Sequence, residues 1–504
     1  MFDLLYLGFG EIFRFDILLI IFVGVIFGVI AGLIPGFTVA MAIVLTLPLT
    51  FGMDPVTGIA AMIGVFVGGM SGGLISAALL GIPGTPSSVA TTFDAYPMAK
   101  NGKPGKALSI GIWASFLSSI ISLFILVTIA PQISQLALKF GPWEMFALIC
   151  LALTIIASVT GESILKGLIA GLFGLLISTI GADPIMGFAR FTFDLNVLRA
   201  GIPFLVVLIG MFAISRLMTS LERTERQKSF EEKQKENATE VSFVLKPIQT
   251  LKTVLRKPGT LVGSSVIGSI IGAIPGAGGS IANIIAYDQA KKWSKDPKKF
   301  GTGCEEGVVA SEAGNNSTVG GDLIPTVALG IPGSAVTAVL LSALMVHGIT
   351  PGPLLIVDEP GIVGGIFVAF FIASFGMLIT QFIGMRYFVK VTQVPTHLLV
   401  PIILVLCVIG AFVLNNRVTD LYILFAMGVI GYLFTKFKFA LAPVIIGVIL
   451  GPIVEVNLRR ALMTNPDWTL FLTRPISVTF LVLTVISILF TVWQTRRSNQ
   501  RLKA

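Results

Sequence analysis

One stretch of this chain occurs twice. Gly52 to Gly84 (GMDPVTGIAAMIGVFVGGMSGGLISAALLGIPG) and Gly301 to Gly333 (GTGCEEGVVASEAGNNSTVGGDLIPTVALGIPG) both end in Gly-Ile-Pro-Gly. The pairs Gly52 and Gly301, Gly58 and Gly307, Gly72 and Gly321, and Gly84 and Gly333 all stand 249 residues apart, so one register fits the whole stretch. A second signature precedes each copy: Gly32-Leu33-Ile34-Pro35-Gly36 and Gly272-Ala273-Ile274-Pro275-Gly276, 240 residues apart. The nine extra residues fall in the lysine-rich segment Lys291 to Lys299, as a loop insertion would. A Gly/Pro interruption at matched places in two halves of an apolar chain points to the binding site of a secondary transporter.

Apolar residues make up 55% of the chain and charged residues only 12%, too few to cover a water-facing surface. Apolar runs long enough to cross about 30 Å of hydrocarbon as helices recur throughout, whereas barrel strands would alternate in short segments. The formal charge of +9 is concentrated in a few loops, which fits orientation by cytoplasmic Lys and Arg and argues against nucleic-acid binding. Cys150, Cys304 and Cys407 stand far apart without a CxxC pair and read as packing residues. The acidic start, with Asp3, Glu11 and Asp16 against Arg14, lacks the basic region of a cleaved signal peptide.

The expected fold is an all-α polytopic membrane protein of two inverted-topology repeats, with broken helices or re-entrant segments at the midplane and about 11–12 membrane segments. Its parts are an N-terminal membrane repeat (1–219), a charged cytoplasmic linker (220–257), a C-terminal membrane repeat (258–474), and an extra helix with a basic tail (475–504). Apolar runs place ordinary spans near Leu108–Ala130, Trp143–Val159, Leu165–Gly181 and Gly201–Met218, and again near Ile362–Thr380, Leu398–Leu414, Leu421–Thr435 and Ala440–Val456. Nine Lys or Arg residues put the linker in the cytoplasm. The basic loop around Lys100, Lys103 and Lys106 corresponds to His347–Pro353, which has no Lys or Arg, so equivalent loops face opposite sides and the repeats are inverted. The same scheme puts the C-terminus inside and the N-terminus outside. It leaves five arginines on the outer face, Arg190, Arg199, Arg459, Arg460 and Arg474, which suggests a docking role there or contact with lipid headgroups.

No phosphate loop, HExxH motif or histidine–carboxylate pairing is present, so the chain reads as a non-enzyme without a cofactor. What it offers are hydroxyl-bearing helix breaks. Gly81, Pro83, Gly84, Thr85, Ser87 and Ser88 in the first half, Gly330, Pro332, Gly333 and Ser334 in the second, and Gly36 and Gly276 at the preceding signatures are the candidate substrate-binding residues. Broken helices present unpaired N–H groups and a positive dipole end, where a carboxylate binds without a buried arginine. Ahead of the second break, Gly314, Asn315, Asn316, Ser317, Thr318 and Asp322 bring hard oxygen ligands into an apolar region and form the candidate coupling-ion site. With unwound carbonyls they suit Na⁺; Glu312 and Asp322, the carboxylates expected within the membrane, leave H⁺ as the alternative. Glu305 and Glu306 read as solvent-facing.

At these residues the sequence resembles the large membrane subunit of the tripartite tricarboxylate transporters, a bacterial permease family. The resemblance covers nearly the whole chain and rests on the signatures ending at Gly36, Gly84, Gly276 and Gly333 and on Gly314 to Asp322. It implies ion-coupled uptake of carboxylates such as citrate across the bacterial inner membrane, with a small membrane subunit and a periplasmic solute-binding protein as partners. A stand-alone carrier for another organic anion, or a channel, is the alternative that the residues alone leave open.

Overall fold

The computed structural model describes residues 2–35, 37–159, 164–222, 244–391 and 396–501. Apart from one two-residue antiparallel pair, β1 (Gly181–Ala182) with β2 (Ala189–Arg190), the described chain is helices and their connections. The first half runs α1 (Phe2–Ile12), α2 (Phe15–Leu33), α3 (Val39–Thr50), α4 (Pro55–Leu80), α5 (Thr91–Lys100), α6 (Pro104–Ala137), α7 (Pro142–Val159) and α8 (Ile164–Ser178). It closes with α9, which begins as Phe204–Leu208, widens to a π-helical stretch at Ile209–Ile214 and resumes at Ser215–Leu221.

The second half runs α10 (Pro247–Leu255), α11 (Pro258–Gly272), α12 (Gly278–Trp293), α13 (Glu305–Asn316), α14 (Thr318–Leu329), α15 (Ala335–Val346), α16 (Pro360–Val391), α17 (Thr396–Asn415), α18 (Val418–Lys436) and α19 (Ala442–Thr464), followed by α20 (Pro475–Arg501). Six of the described helices, α2, α4, α6, α16, α18 and α19, are long and apolar enough to cross a membrane. The chain is an all-α polytopic membrane protein. Three of the helices beside the signatures are short: α3, α14 and α15 have 12 residues each. At 1.5 Å per residue such a helix covers about 18 Å, well short of the roughly 30 Å hydrocarbon layer.

Hydrocarbon supplies no hydrophobic drive for one helix to seek another, so close backbone packing must do it. The α2–α4 pair shows how. Gly24, Gly28 and Gly32 on α2 face Gly64, Gly68 and Gly72 on α4, each set spaced by four residues. A Cβ at Gly28 would lie 2.3 Å from the Val65 carbonyl oxygen, and one at Gly68 2.2 Å from that of Val25. Backbone rests on backbone along the whole pair.

Packing partners are exchanged between the halves. Helix α4 packs on α16 and its counterparts α13 and α14 pack on α6; α2 also packs on α16, and α11 on α6; α8 packs on α19 while α18 packs on α9. Each half's bundle is completed by helices of the other.

Of the spans expected from apolar runs, Leu108–Ala130, Trp143–Val159, Ile362–Thr380, Leu398–Leu414 and Leu421–Thr435 lie within α6, α7, α16, α17 and α18, whereas Leu165–Gly181 runs past the end of α8 at Ser178 and Gly201–Met218 and Ala440–Val456 begin before α9 and α19 do. Helix α12 continues to Trp293, so Lys291 and Lys292 form its last turn instead of opening a loop. Within the charged linker, 223–243 lie outside the described residues, but Pro247–Leu255 is the helix α10, packed on α6, with the Trp113 Nε1–H donating to the Pro247 carbonyl at 2.9 Å. Two glutamates expected in solvent are engaged: Glu305 pairs with Lys106, and Glu306 accepts from Thr260 (2.8 Å) and Ser294 (2.9 Å).

Candidate functional site

Both Gly-Ile-Pro-Gly signatures end a helix in the same way. Gly81 caps α4 at φ 67°, ψ 15°, and Gly330 caps α14 at φ 69°, ψ 23°, a left-handed conformation that favours glycine. Four residues later each half has a reciprocal cap. The Thr85 N–H donates to Ser88 Oγ (3.3 Å) and the Ser334 N–H to Thr337 Oγ1 (2.9 Å), the latter opening α15. The final glycines permit a third match: a Cβ at Gly84 would lie 2.2 Å from the Gly32 carbonyl oxygen, and one at Gly333 2.8 Å from that of Gly272. Gly276, at φ 83°, donates its N–H to the Gly333 carbonyl at 2.7 Å. Gly36 lies outside the described residues.

The two breaks meet at the N-terminal end of α12. A Cβ at Gly279 would touch Met70 Cε (2.7 Å), Ser87 Cβ (2.8 Å) and Asn315 Oδ1 (3.1 Å), while one at Gly278 would come within 3.7 Å of Ser334. Ser87 and Ser334, from opposite halves, are thus brought to adjacent residues of one helix end. Ser87 is buried, with its hydroxyl 3.0 Å from that of Thr85.

At 314–322 the backbone does not unwind. Helices α13 and α14 meet at Ser317, itself right-handed at φ −67°, ψ −15°. The Ser317 and Thr318 hydroxyls donate back to the carbonyls of Gly314 (3.5 Å) and Asn315 (2.6 Å), so these are not open carbonyls. Oxygen ligands are instead left on side chains. Asn315 donates Nδ2–H to the Met70 carbonyl (2.8 Å) and Asn316 donates to Ser115 (2.8 Å), turning the two amides toward different first-half helices. Among the described residues, Asn315 Oδ1, Asn316 Oδ1, Asp322 Oδ1 and Gln381 Oε1 are buried acceptors without a hydrogen-bond partner. Gln381 reaches this region from α16 and donates to Ser71 on α4 (2.9 Å). Buried acceptors without donors are costly, and a hard cation is the ligand type that satisfies oxygens without needing a donor.

Glu312 is fully buried and accepts from Thr91 (2.6 Å), Ser115 (2.9 Å) and Asn316 (3.2 Å), two of which belong to the first half. Asn283 of α12 completes the junction by accepting from the Ala90 N–H (2.6 Å) and donating to the Ser311 carbonyl (3.0 Å). A carboxylate held by three neutral donors lies across the seam between the halves, and burial of this kind is rare without a role.

The first break also walls a cavity of about 470 Å³. Pro83, Gly84, Thr85 and Pro86 form one side; Phe212, Ser215, Arg216 and Thr219 of α9 form another; Thr435 and the start of α19 close it. Thr38, the N-cap of α3, accepts from the Met41 N–H (3.2 Å) and lines the same space. The wall of this cavity is mostly apolar, and the Thr219 and Thr435 hydroxyls donate to the carbonyls of Ser215 and Gly431 on their own helices; its features suited to an anion are the Arg216 guanidinium and the N-terminal ends of α3 and α19. The second break does not line it. Arg216 and Gln381 were not singled out in the sequence, although each is a polar residue within or ending an apolar run, the signal that would have found them.

The arginines expected on the outer face are largely engaged by the protein itself. Arg190 binds Glu455 through both guanidinium nitrogens (2.5 and 3.0 Å), and Arg459 contacts Asp183 (2.8 Å) and Glu455 (2.9 Å). Arg474 lies over the Trp143 ring at 4.4 Å and 3.4 Å from Glu144. Arg199 and Arg460 are exposed.

Residues 18–446 match the model of the tripartite tricarboxylate transporter TctA family. The 52.8 kDa protein in the TAR-I ttuC' 3' region of Agrobacterium vitis is 33% identical over 451 residues, covering 89% of this chain and 88% of that protein. A second Agrobacterium vitis protein, in the TAR-II ttuC' 3' region, is 33% identical over 234 residues, 46% of this chain and 97% of its own. No solved structure matches the chain. With its paired helix breaks, its polytopic helical fold and a family match over most of its length, this chain belongs to the tripartite tricarboxylate transporter TctA family.

Proposed function

We propose that the protein is the permease of a tripartite system that takes up carboxylates, citrate-like acids among them, across the bacterial inner membrane by coupling to a cation gradient. A small membrane subunit and a periplasmic solute-binding protein complete the system in this reading. The cavity beside the first break carries the proposal, because it sets Thr85 and Arg216 across about 470 Å³ of space, which is room for a small organic acid. The coupling cation, Na⁺ in this reading, draws on the buried side-chain oxygens left without donors in the 314–322 segment, that of Asn315 first among them. The halves are inserted in opposite senses, with the linker and C-terminus cytoplasmic and the N-terminus periplasmic.

The test is radiolabelled citrate uptake into proteoliposomes supplied with the partner proteins. Arg216→Gln and Thr85→Val should each raise the half-saturating citrate concentration about ten- to hundredfold, since a hydrogen bond to a charged group contributes about 1.5–3 kcal/mol. In the same vesicles Asn315→Leu should raise the Na⁺ concentration needed for half-maximal uptake. Unchanged citrate affinity in both cavity variants would overturn the assignment of the site.

A further inference from the structure

The 249-residue register sets Gly73 opposite Asp322, Thr85 opposite Ser334 and Ser88 opposite Thr337. In the folded chain the corresponding positions are also alike. Behind the Thr85–Ser88 turn stands Gly73, where a Cβ would lie 2.7 Å from Thr85 Oγ1 and 2.8 Å from Ser88 Oγ. Behind the Ser334–Thr337 turn the same place carries Asp322: a Cβ at Gly333 would lie 2.8 Å from the Asp322 Cα, as one at Gly84 would lie 3.1 Å from that of Gly73. Asp322 is 2% exposed and its Oδ1 has no partner among the described residues. It sits at the N-terminal end of the 12-residue α15, the end of a helix that favours negative charge. Thr85, by contrast, has no carboxylate of its own and opens onto the cavity.

We infer that Asp322 is a resident carboxylate, filling at the second break the role that a transported organic acid fills at the first, so that only one of the two duplicated breaks is open to substrate. This rests on the transport reading above for the first break. The second-break half of the claim stands apart from it. Removing the Asp322 side chain creates a vacancy for a small monocarboxylate. Adding a carboxylate at position 73 places a competing negative charge beside Thr85.

The experiment uses the purified full-length protein in detergent, with Thr85→Val as background to silence the first break. Thermal unfolding is followed in sodium formate and in sodium chloride at equal ionic strength. Asp322→Gly in this background should gain a saturable increase of about 1–3 °C from formate over chloride, the size expected for a ligand present well above its Kd. Thr85→Val alone should gain none. Equal responses in the two proteins, or no formate effect on a folded Asp322→Gly protein, overturn the inference. If Asp322→Gly does not fold, the reciprocal pair decides: Gly73→Asp should bind citrate at least tenfold more weakly than the isosteric Gly73→Asn, and equal binding overturns it. Formate stabilisation is read without transport, so it survives even if citrate proves not to be the cargo.

Discussion

At the scale of single residues, the polar groups divide into those satisfied by the fold and those left open. Asp183, in the loop after α8, belongs to the first kind. The backbone N–H of Met186, then that of Ile185 and the nearby Arg459 and Arg190, hold its carboxyl below the ordinary value of 3.8. A carboxylate with a lowered folded pKa stabilises fully above its unfolded value, and that contribution disappears as pH falls through the folded value. Asp183→Asn should therefore melt below the native protein at pH 7, with the gap closing as pH falls below about 3.8. A gap that stays constant from pH 7 to pH 3 in a detergent melting series would contradict this. The residue types at the breaks and around 314–322 were readable from the chain. Their division of labour was not: Asn315 spends its amide N–H on the Met70 carbonyl, 245 positions away, and keeps an unpartnered oxygen, which no local pattern announces.

Among the elements, the tightest pairing is that of α2 with α4, and glycine spacing explains it. Gly28→Val should push α2 off α4, because its Cβ would fall 2.3 Å from a backbone oxygen that has no rotamer to change. We expect at least a several-fold loss of monodisperse protein in detergent, measured by size-exclusion chromatography, whereas Gly10→Val, with nothing within 4 Å of its Cβ, should behave as the native chain. Equal yields from the two variants would show that the close approach does not matter. The four-residue spacing of Gly24, Gly28 and Gly32 and of Gly64, Gly68 and Gly72 is present in the sequence. It identifies two helices able to pack closely, and both also had to end at matched signatures, so the helix ends were equally legible. The unbroken joint at Ser317 was not, since a run of Gly, Asn and Ser has low helix propensity and is held helical here by packing on α6, α11 and α12.

For the whole molecule, the exchanged packing of α4 on α16 and of α13 and α14 on α6 ties the two halves into one body. If the halves are inserted in opposite senses, equivalent loops face opposite sides. In a background lacking Cys150, Cys304 and Cys407, a cysteine replacing Lys103 should label only from the cytoplasm and one replacing Thr350 only from the periplasm; labelling of both from one side would end the inverted scheme. The sequence by itself determined that the chain is helical and membrane-embedded, that it is duplicated, and where its helices break, because apolar length, a fixed separation of 249 residues and Gly/Pro chemistry are local or periodic properties. Only the tertiary structure decided that Glu312 bridges the halves through Thr91 and Ser115, that Arg190 and Arg459 bind Glu455 and Asp183, and that Arg216 faces the first break across a cavity. Each of these depends on side chains from separate helices converging. Hydropathy and spacing define a helix and its ends but not which face it turns to a neighbour.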